Sequence, residues 1–172
     1  MKLREEILKE HSKAQCNKIV GWVGNTQPRF DELFRVFIED ENDQVRQRAA
    51  WPVSYCVIAH PAFIKKHFST LFGNLQQSNL HNAVKRNSIR LLQYVEIPEG
   101  YHAQAMNLCF GYLASPSDAV AVKAFSLSVL ANLSAIYPAI IPEIKLLLET
   151  QFGRQSAGFK SRAKKVLHQI GS

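Results

Sequence analysis

Apolar residues return along this chain on two scales. Within short windows they recur every three or four residues, as in Phe30, Leu33, Phe34, Phe37 and again in Ile64, Phe68, Leu71, Phe72, Leu75. That spacing predicts helices with one buried stripe. On the longer scale a compound pattern repeats: an apolar residue, a base next to it, a small residue at +4 and an aliphatic one at +8. It reads Val45, Arg46, Ala49, Val53, then Val84, Lys85, Ser88, Leu92, then Val122, Lys123, Ser126, Leu130, then Phe159, Lys160, Ala163, Leu167. A degenerate first copy is Ser12, Lys13, Cys16, Val20. The copies begin 33, 39, 38 and 37 residues apart, from positions 12, 45, 84, 122 and 159. Such a period belongs to helical-repeat arrays.

Prolines mark the same period. Pro28, Pro61, Pro98 and Pro138 fall 14 to 16 residues after the motif starts, and a residue with fixed φ and no N–H suits a helix end or first turn. We read ten helices in five pairs. The outer set covers roughly 2–10, 28–40, 61–77, 101–114 and 139–152; the inner set covers 12–24, 44–59, 82–95, 119–136 and 158–170. Asp43, Ser117 or Asp118, and Ser156 are the expected N-caps of three inner helices. No strand pattern competes. The expectation is one all-α domain over 1–172, with repeats at 1–26, 27–60, 61–97, 98–137 and 138–172.

Asp43-Gln44-Val45-Arg46-Gln47-Arg48-Ala49-Ala50 resembles the second helix of a HEAT repeat, and the period of these copies is similar to that family's. The resemblance covers nearly the whole chain and is strongest over 28–137. It implies an α-α superhelix, a right-handed solenoid of about five HEAT-like pairs whose inner helices line the concave side. Only Asp43 matches the family's acid before the apolar residue.

Charge changes the picture next. The inner helices hold Lys13, Lys18, Arg46, Arg48, Lys85, Arg86, Arg90, Lys123, Lys160, Arg162, Lys164 and Lys165, with no acid between their expected caps. On a helical wheel numbered from each motif start, positions 0, +4, +7, +8 and +11 form the core side, and +3, +6 and +10 form another flank. That flank reads Gln15, Lys18, Trp22; Arg48, Trp51, Tyr55; Asn87, Arg90, Tyr94; Phe125, Ser128, Asn132; Arg162, Lys165, Gln169. From it we select Lys18, Trp22, Arg48, Trp51, Tyr55, Arg90, Tyr94, Arg162 and Lys165 as candidate groove residues. Lysine and arginine neutralise phosphates, and aromatic faces stack on bases. Arginine, tyrosine and tryptophan equally anchor protein partners. Trp22 and Trp51 fit either a groove or packing between repeats, whereas the hydroxyls of Tyr55 and Tyr94 suit a wet surface. Pro52, inside an inner helix, frees the Arg48 carbonyl and is expected to kink the helix at a cost of about 3 kcal/mol.

The net charge of +7, from 21 Lys+Arg against 14 Asp+Glu, favours an anionic partner, an acidic protein or DNA/RNA. The charged start, Met1-Lys2-Leu3-Arg4-Glu5-Glu6, lacks an apolar signal region, and the uncharged run from Ala124 to Pro142 is interrupted by serines and prolines. A cytoplasmic monomer away from membranes is expected. Cys16, Cys56 and Cys109 have no paired spacing and read as reduced core thiols. The six histidines form no HxxxH pair or Cys/His cluster, and no Gly-rich phosphate loop is present. No metal, cofactor, small-molecule substrate or catalytic residue is expected. One HEAT-like family excises alkylated bases with a groove carboxylate beside tryptophans. Trp22 and Trp51 could imitate the latter, but the inner helices offer no carboxylate. An adenylosuccinate lyase reading fails because its Ser-Ser-x-Met-Pro-x-Lys loop is missing. The sequence therefore predicts a non-catalytic binding scaffold with a basic groove; a protein–protein adaptor with incidental charge is the alternative.

Overall fold

The computed structural model describes residues 1–171, and among them every regular element is helical. The chain divides into two compact units, Met1–Val95 and Glu96–Ser172. The division falls two residues before the joint read at 97/98.

In the first unit the helices are α1 (Leu3–Lys9), α2 (Lys13–Val23), α3 (Gln27–Glu39), α4 (Asp43–Ala59), α5 (Phe68–Leu75) and α6 (Asn82–Leu92). Local chemistry sets their ends. Ser12 accepts from the Gln15 amide at 3.0 Å and starts α2. Gly24 stops it, with φ of 52°, a left-handed conformation that costs glycine nothing, and its amide donates to the Val20 carbonyl at 2.9 Å. Pro28 sits in the first turn of α3. Asn42 rather than the expected Asp43 caps α4, because Asn42 has the extended backbone and its side chain accepts from the Gln44 amide at 2.9 Å. Asp43 becomes the first helical residue, where an acid favours the helix dipole. The expected outer helix 61–77 is a compound element: Pro61–His67 winds as a 3-10 helix before α5.

α4 runs unbroken over 17 residues through Pro52 and packs against α1, α2, α3 and α6. A helix with neighbours on three sides cannot be simply amphipathic. Accordingly Val45, Ala49, Ala50, Pro52, Val53, Ser54, Cys56 and Val57 are all buried. Beside it the outer layer is aromatic: Phe30 stacks on Phe63 at 5.1 Å, and Phe34 lies 4.3 Å from the His67 ring.

In the second unit the helices are α7 (His102–Ala114), α8 (Val120–Ser134), α9 (Ile141–Gln151) and α10 (Ala157–Gly171), with 3-10 turns at Glu99–Tyr101, Pro138–Ile140 and Phe152–Arg154. α8 holds the central place, packed against α7, α9 and α10. Its expected caps do not form. α8 begins after Ala119 without a side-chain cap, and Ser115 instead accepts from the Ser117 and Asp118 amides within the loop. Ser156 does accept from the Phe159 amide at 3.3 Å, starting α10. His102 is buried and ties two joints, its Nε2 facing the Ile97 carbonyl at 2.7 Å and its Nδ1 the Tyr137 hydroxyl at 3.0 Å. Nε2–H donates there, because a carbonyl oxygen can only accept.

α1 is held electrostatically as well as by Leu3 and Ile7. Arg4 grips Asp40 through two bonds of 2.8 and 3.2 Å, and Glu6 accepts from Lys18 at 2.8 Å and from Gln15 at 3.0 Å, with Lys9 also paired to it. Lys18, then Lys9 and Gln15, lower the Glu6 carboxyl from 4.5 to about 2. A depressed carboxyl stabilises the fold fully above its unfolded value and loses that contribution as pH falls through the folded one. Protection of α1 amides against hydrogen exchange, corrected for intrinsic rates, should therefore hold down to about pH 4.5 and decline toward pH 2. Glu6→Gln should flatten that decline. Protection unchanged at pH 2 in the parent chain would contradict the role given to Glu6.

Candidate nucleic-acid or protein interface

The inner helices α2, α4, α6, α8 and α10 carry all twelve bases read from the sequence, and their only acid is Asp43. The three positions of the predicted flank do different things.

Position +3 is a tie between layers in four of the five copies, the exception being Phe125. Gln15 is 8% exposed and donates to both the carbonyl and the carboxylate of Glu6. Arg48 Nη1 donates to the Leu8 carbonyl at 2.7 Å, near the end of α1. Asn87 is 2% exposed; its Nδ2 donates to the Ala83 carbonyl at 2.8 Å and its Oδ1 faces the Ser54 hydroxyl at 3.1 Å. In the second unit Arg162 donates to the Ser128 hydroxyl at 2.9 Å. Each side chain satisfies a polar atom at a neighbouring helix, which an apolar residue would leave orphaned. Arg46, at +1, does likewise, donating to Asn74 of α5 at 3.2 Å.

Positions +6 and +10 supply the open face. In the first unit they bring Trp51, Tyr55 and Arg90 together. The Trp51 and Tyr55 rings are 6.0 Å apart at 54°, and the Arg90 guanidinium carbon lies 4.6 Å from the Tyr55 ring centroid. His11 extends the row, 5.7 Å from Trp51 at 55°. Trp51 first, then Arg90, hold the Tyr55 phenol below its ordinary value. Arg90 has no carboxylate within ion-pair distance among the described residues. Tyr94, four residues beyond Arg90, is 52% exposed. The remaining selections lie elsewhere. Lys18 is paired with Glu6. Trp22 pairs with Arg29, whose guanidinium lies 5.4 Å from the indole and donates to the Trp22 carbonyl at 2.7 Å. Lys165 is exposed on α10 of the second unit.

Sequence reasoning considered His11 only as a metal ligand and so missed its place in the row. Its position just before the Ser12 cap was the available signal, since a residue there leaves one helix and turns over the next. Arg29 was also missed; it stands seven residues after Trp22, across the joint.

Cys16, Cys56 and Cys109 are free and buried, and burial pushes each thiol up to about 12, far from nucleophilic. Among the described residues no group of His, Cys, Asp and Glu could hold a metal ion, and no helix is long and apolar enough to cross a membrane.

A repeat of helix pairs matches one family description. The HEAT repeat domain model covers residues 3–170. The chain belongs to the HEAT-repeat family. Comparison with curated proteins and with solved structures gave no match. HEAT repeats mediate protein interactions as scaffolds and are typically non-catalytic. This HEAT protein keeps the helix pairs throughout, and its layer contacts run through Gln, Asn and backbone carbonyls as much as through charge.

Proposed function

We propose that this HEAT protein is a non-catalytic scaffold whose inner helices bind an anionic macromolecule. The observation that carries the reading is the separation of charge by helix: twelve bases on the five inner helices against Asp43 alone. A surface of one sign raises the local concentration of an oppositely charged partner and speeds its encounter. In the first unit Arg90, Trp51, Tyr55 and Tyr94 are the contacting residues, and in the second unit, taken by itself, the exposed Lys165 is one. Arg48 and Arg162 are positioning residues, since their donors are engaged with Leu8 and Ser128.

Retention on immobilised heparin, oligonucleotide and polyglutamate, measured as salt is raised, tests this. If about five phosphates are neutralised, nucleic-acid affinity should fall several-hundred-fold between about 50 and 200 mM salt. Lys164→Glu combined with Lys165→Glu should weaken retention without a change in thermal stability, because both side chains are exposed. Failure to bind any of the three polymers at low salt would remove the reading.

A further inference from the structure

The row His11, Trp51, Tyr55, Arg90 in the first unit is specific enough to distinguish between anionic partners, and the inference drawn from it rests on the anionic-partner reading above. A nucleic-acid strand presents one negative charge every 3.4 Å or so and asks for a series of uncommitted cations together with flat aromatic faces open to bases. The row offers neither. Of the three bases selected on this flank of the unit, Lys18 is 2.8 Å from the Glu6 carboxylate and Arg48 is spent on the Leu8 carbonyl. Arg90 alone among them keeps its charge without a carboxylate or carbonyl partner among the described residues. The rings are tilted against their neighbours, Trp51 at 55° to His11 and at 54° to Tyr55, and Arg90 lies 4.6 Å from the Tyr55 centroid. Rings tilted against one another and shared with a cation make a poorer stacking platform than an open, flat ring.

What the row does present is one oriented cation set among aromatic edges. The Arg90 guanidinium lies 4.6 Å from the Tyr55 ring centroid and also bonds the Tyr55 side chain, and the rest of its five N–H donors can meet a carboxylate. The ring contact also fixes the side chain in advance, lowering the ordering cost of binding. Arginine beside tryptophan and tyrosine is the composition of a protein-interface anchor. We infer that the Trp51–Tyr55–Arg90 row, extended by the exposed Tyr94, docks an acidic segment of a partner protein. One carboxylate takes the Arg90 fork, and apolar side chains on either side of it rest on Trp51 and Tyr94. The +7 charge of the chain complements such a segment.

The test is fluorescence anisotropy with the full chain and two probes matched in charge. One is a short labelled peptide of glutamates interleaved with leucine and phenylalanine; the other is a labelled single-stranded oligonucleotide. The peptide should bind the more tightly. Arg90→Gln, which keeps a planar group over the ring, and Tyr55→Ala should each weaken it by at least about tenfold. Lys65→Glu, a change at an exposed base of the Pro61–His67 segment, should leave it within about twofold, as for a charge away from a hot spot. Tyr55→Phe, which retains the ring, should keep most of the affinity and guards against a loss caused by misfolding, with circular dichroism as the control. Peptide binding indifferent to Arg90→Gln, or preference for the oligonucleotide, overturns the inference while the anionic-partner reading survives. If neither probe binds, both readings fail together.

Discussion

Replacing Phe30 with alanine is expected to lower the unfolding free energy of the first unit by about 3–5 kcal/mol. Phe30 is fully buried and stacks on Phe63 at 5.1 Å and 25°, with Phe34 at 5.9 Å and the edge of His67 at 5.8 Å. Its ring joins α3 to the 3-10 segment of the next repeat, so truncation removes packing on both sides of a joint. In a repeat array stability is close to a sum of repeats and their contacts, and the loss of one contact lowers cooperativity as well as the midpoint. Urea unfolding followed by circular dichroism would show this as a lower midpoint and a shallower slope. A change under about 1 kcal/mol would mean that the joint collapses around the gap and that the aromatic packing is not rigid.

A second large effect should come from a change of one atom. Asn87→Asp keeps the shape of a side chain that is 2% exposed but turns its donor to the Ala83 carbonyl, now 2.8 Å away, into a second acceptor. Two oxygens then face each other, and a charge is placed beside the Ser54 hydroxyl, whose one proton the Trp51 carbonyl also attracts. A buried charge left without its partner costs on the order of 3 kcal/mol. Burial raises such a carboxyl above its unfolded value near 3.9, so the cost should be complete at neutral pH and shrink as acid protonates the group. Thermal melting of parent and variant at about pH 7 and pH 4 would show the gap narrowing. A variant as stable as the parent at neutral pH would mean that water reaches this joint.

The larger order of this molecule was legible in its residues because it is written five times. Val45, Ala49, Val53 and Cys56, and their counterparts Val122, Ser126, Leu130 and Leu133, fall on the core side of the wheel and are buried. The joints were less legible. Pro61 announced a helix start correctly, but nothing in Ala62-Phe63-Ile64-Lys65-Lys66 distinguishes a 3-10 winding from an α one, since both accept the same residues. Asn42 and Asp43 are equally good caps by type, and only the backbone turn decides between them.

The flank shows the same limit at the site. Arg48 and Arg90 have the same side chain and stand one step apart on the wheel, at +3 and +6. One crosses to the Leu8 carbonyl, and the other stays over Tyr55. A wheel drawn for a single helix places both outward, because it contains no neighbouring layer to claim one of them. Gln15 and Asn87, polar and buried, were hidden for that reason. The separation of bases from acids needed no neighbour to be seen, and it reappears in the helices as built.

The +3 ties also bear on how such an array can change over evolutionary time. Each carries a different pair: a guanidinium to a main-chain oxygen at Arg48, an amide to a hydroxyl at Asn87, a guanidinium to a hydroxyl at Arg162. Duplicating or excising a segment would set the wrong plug against the wrong socket and strand a donor in the dark. The chain should therefore accept point changes on its open face more readily than exchange of the segments that carry these ties.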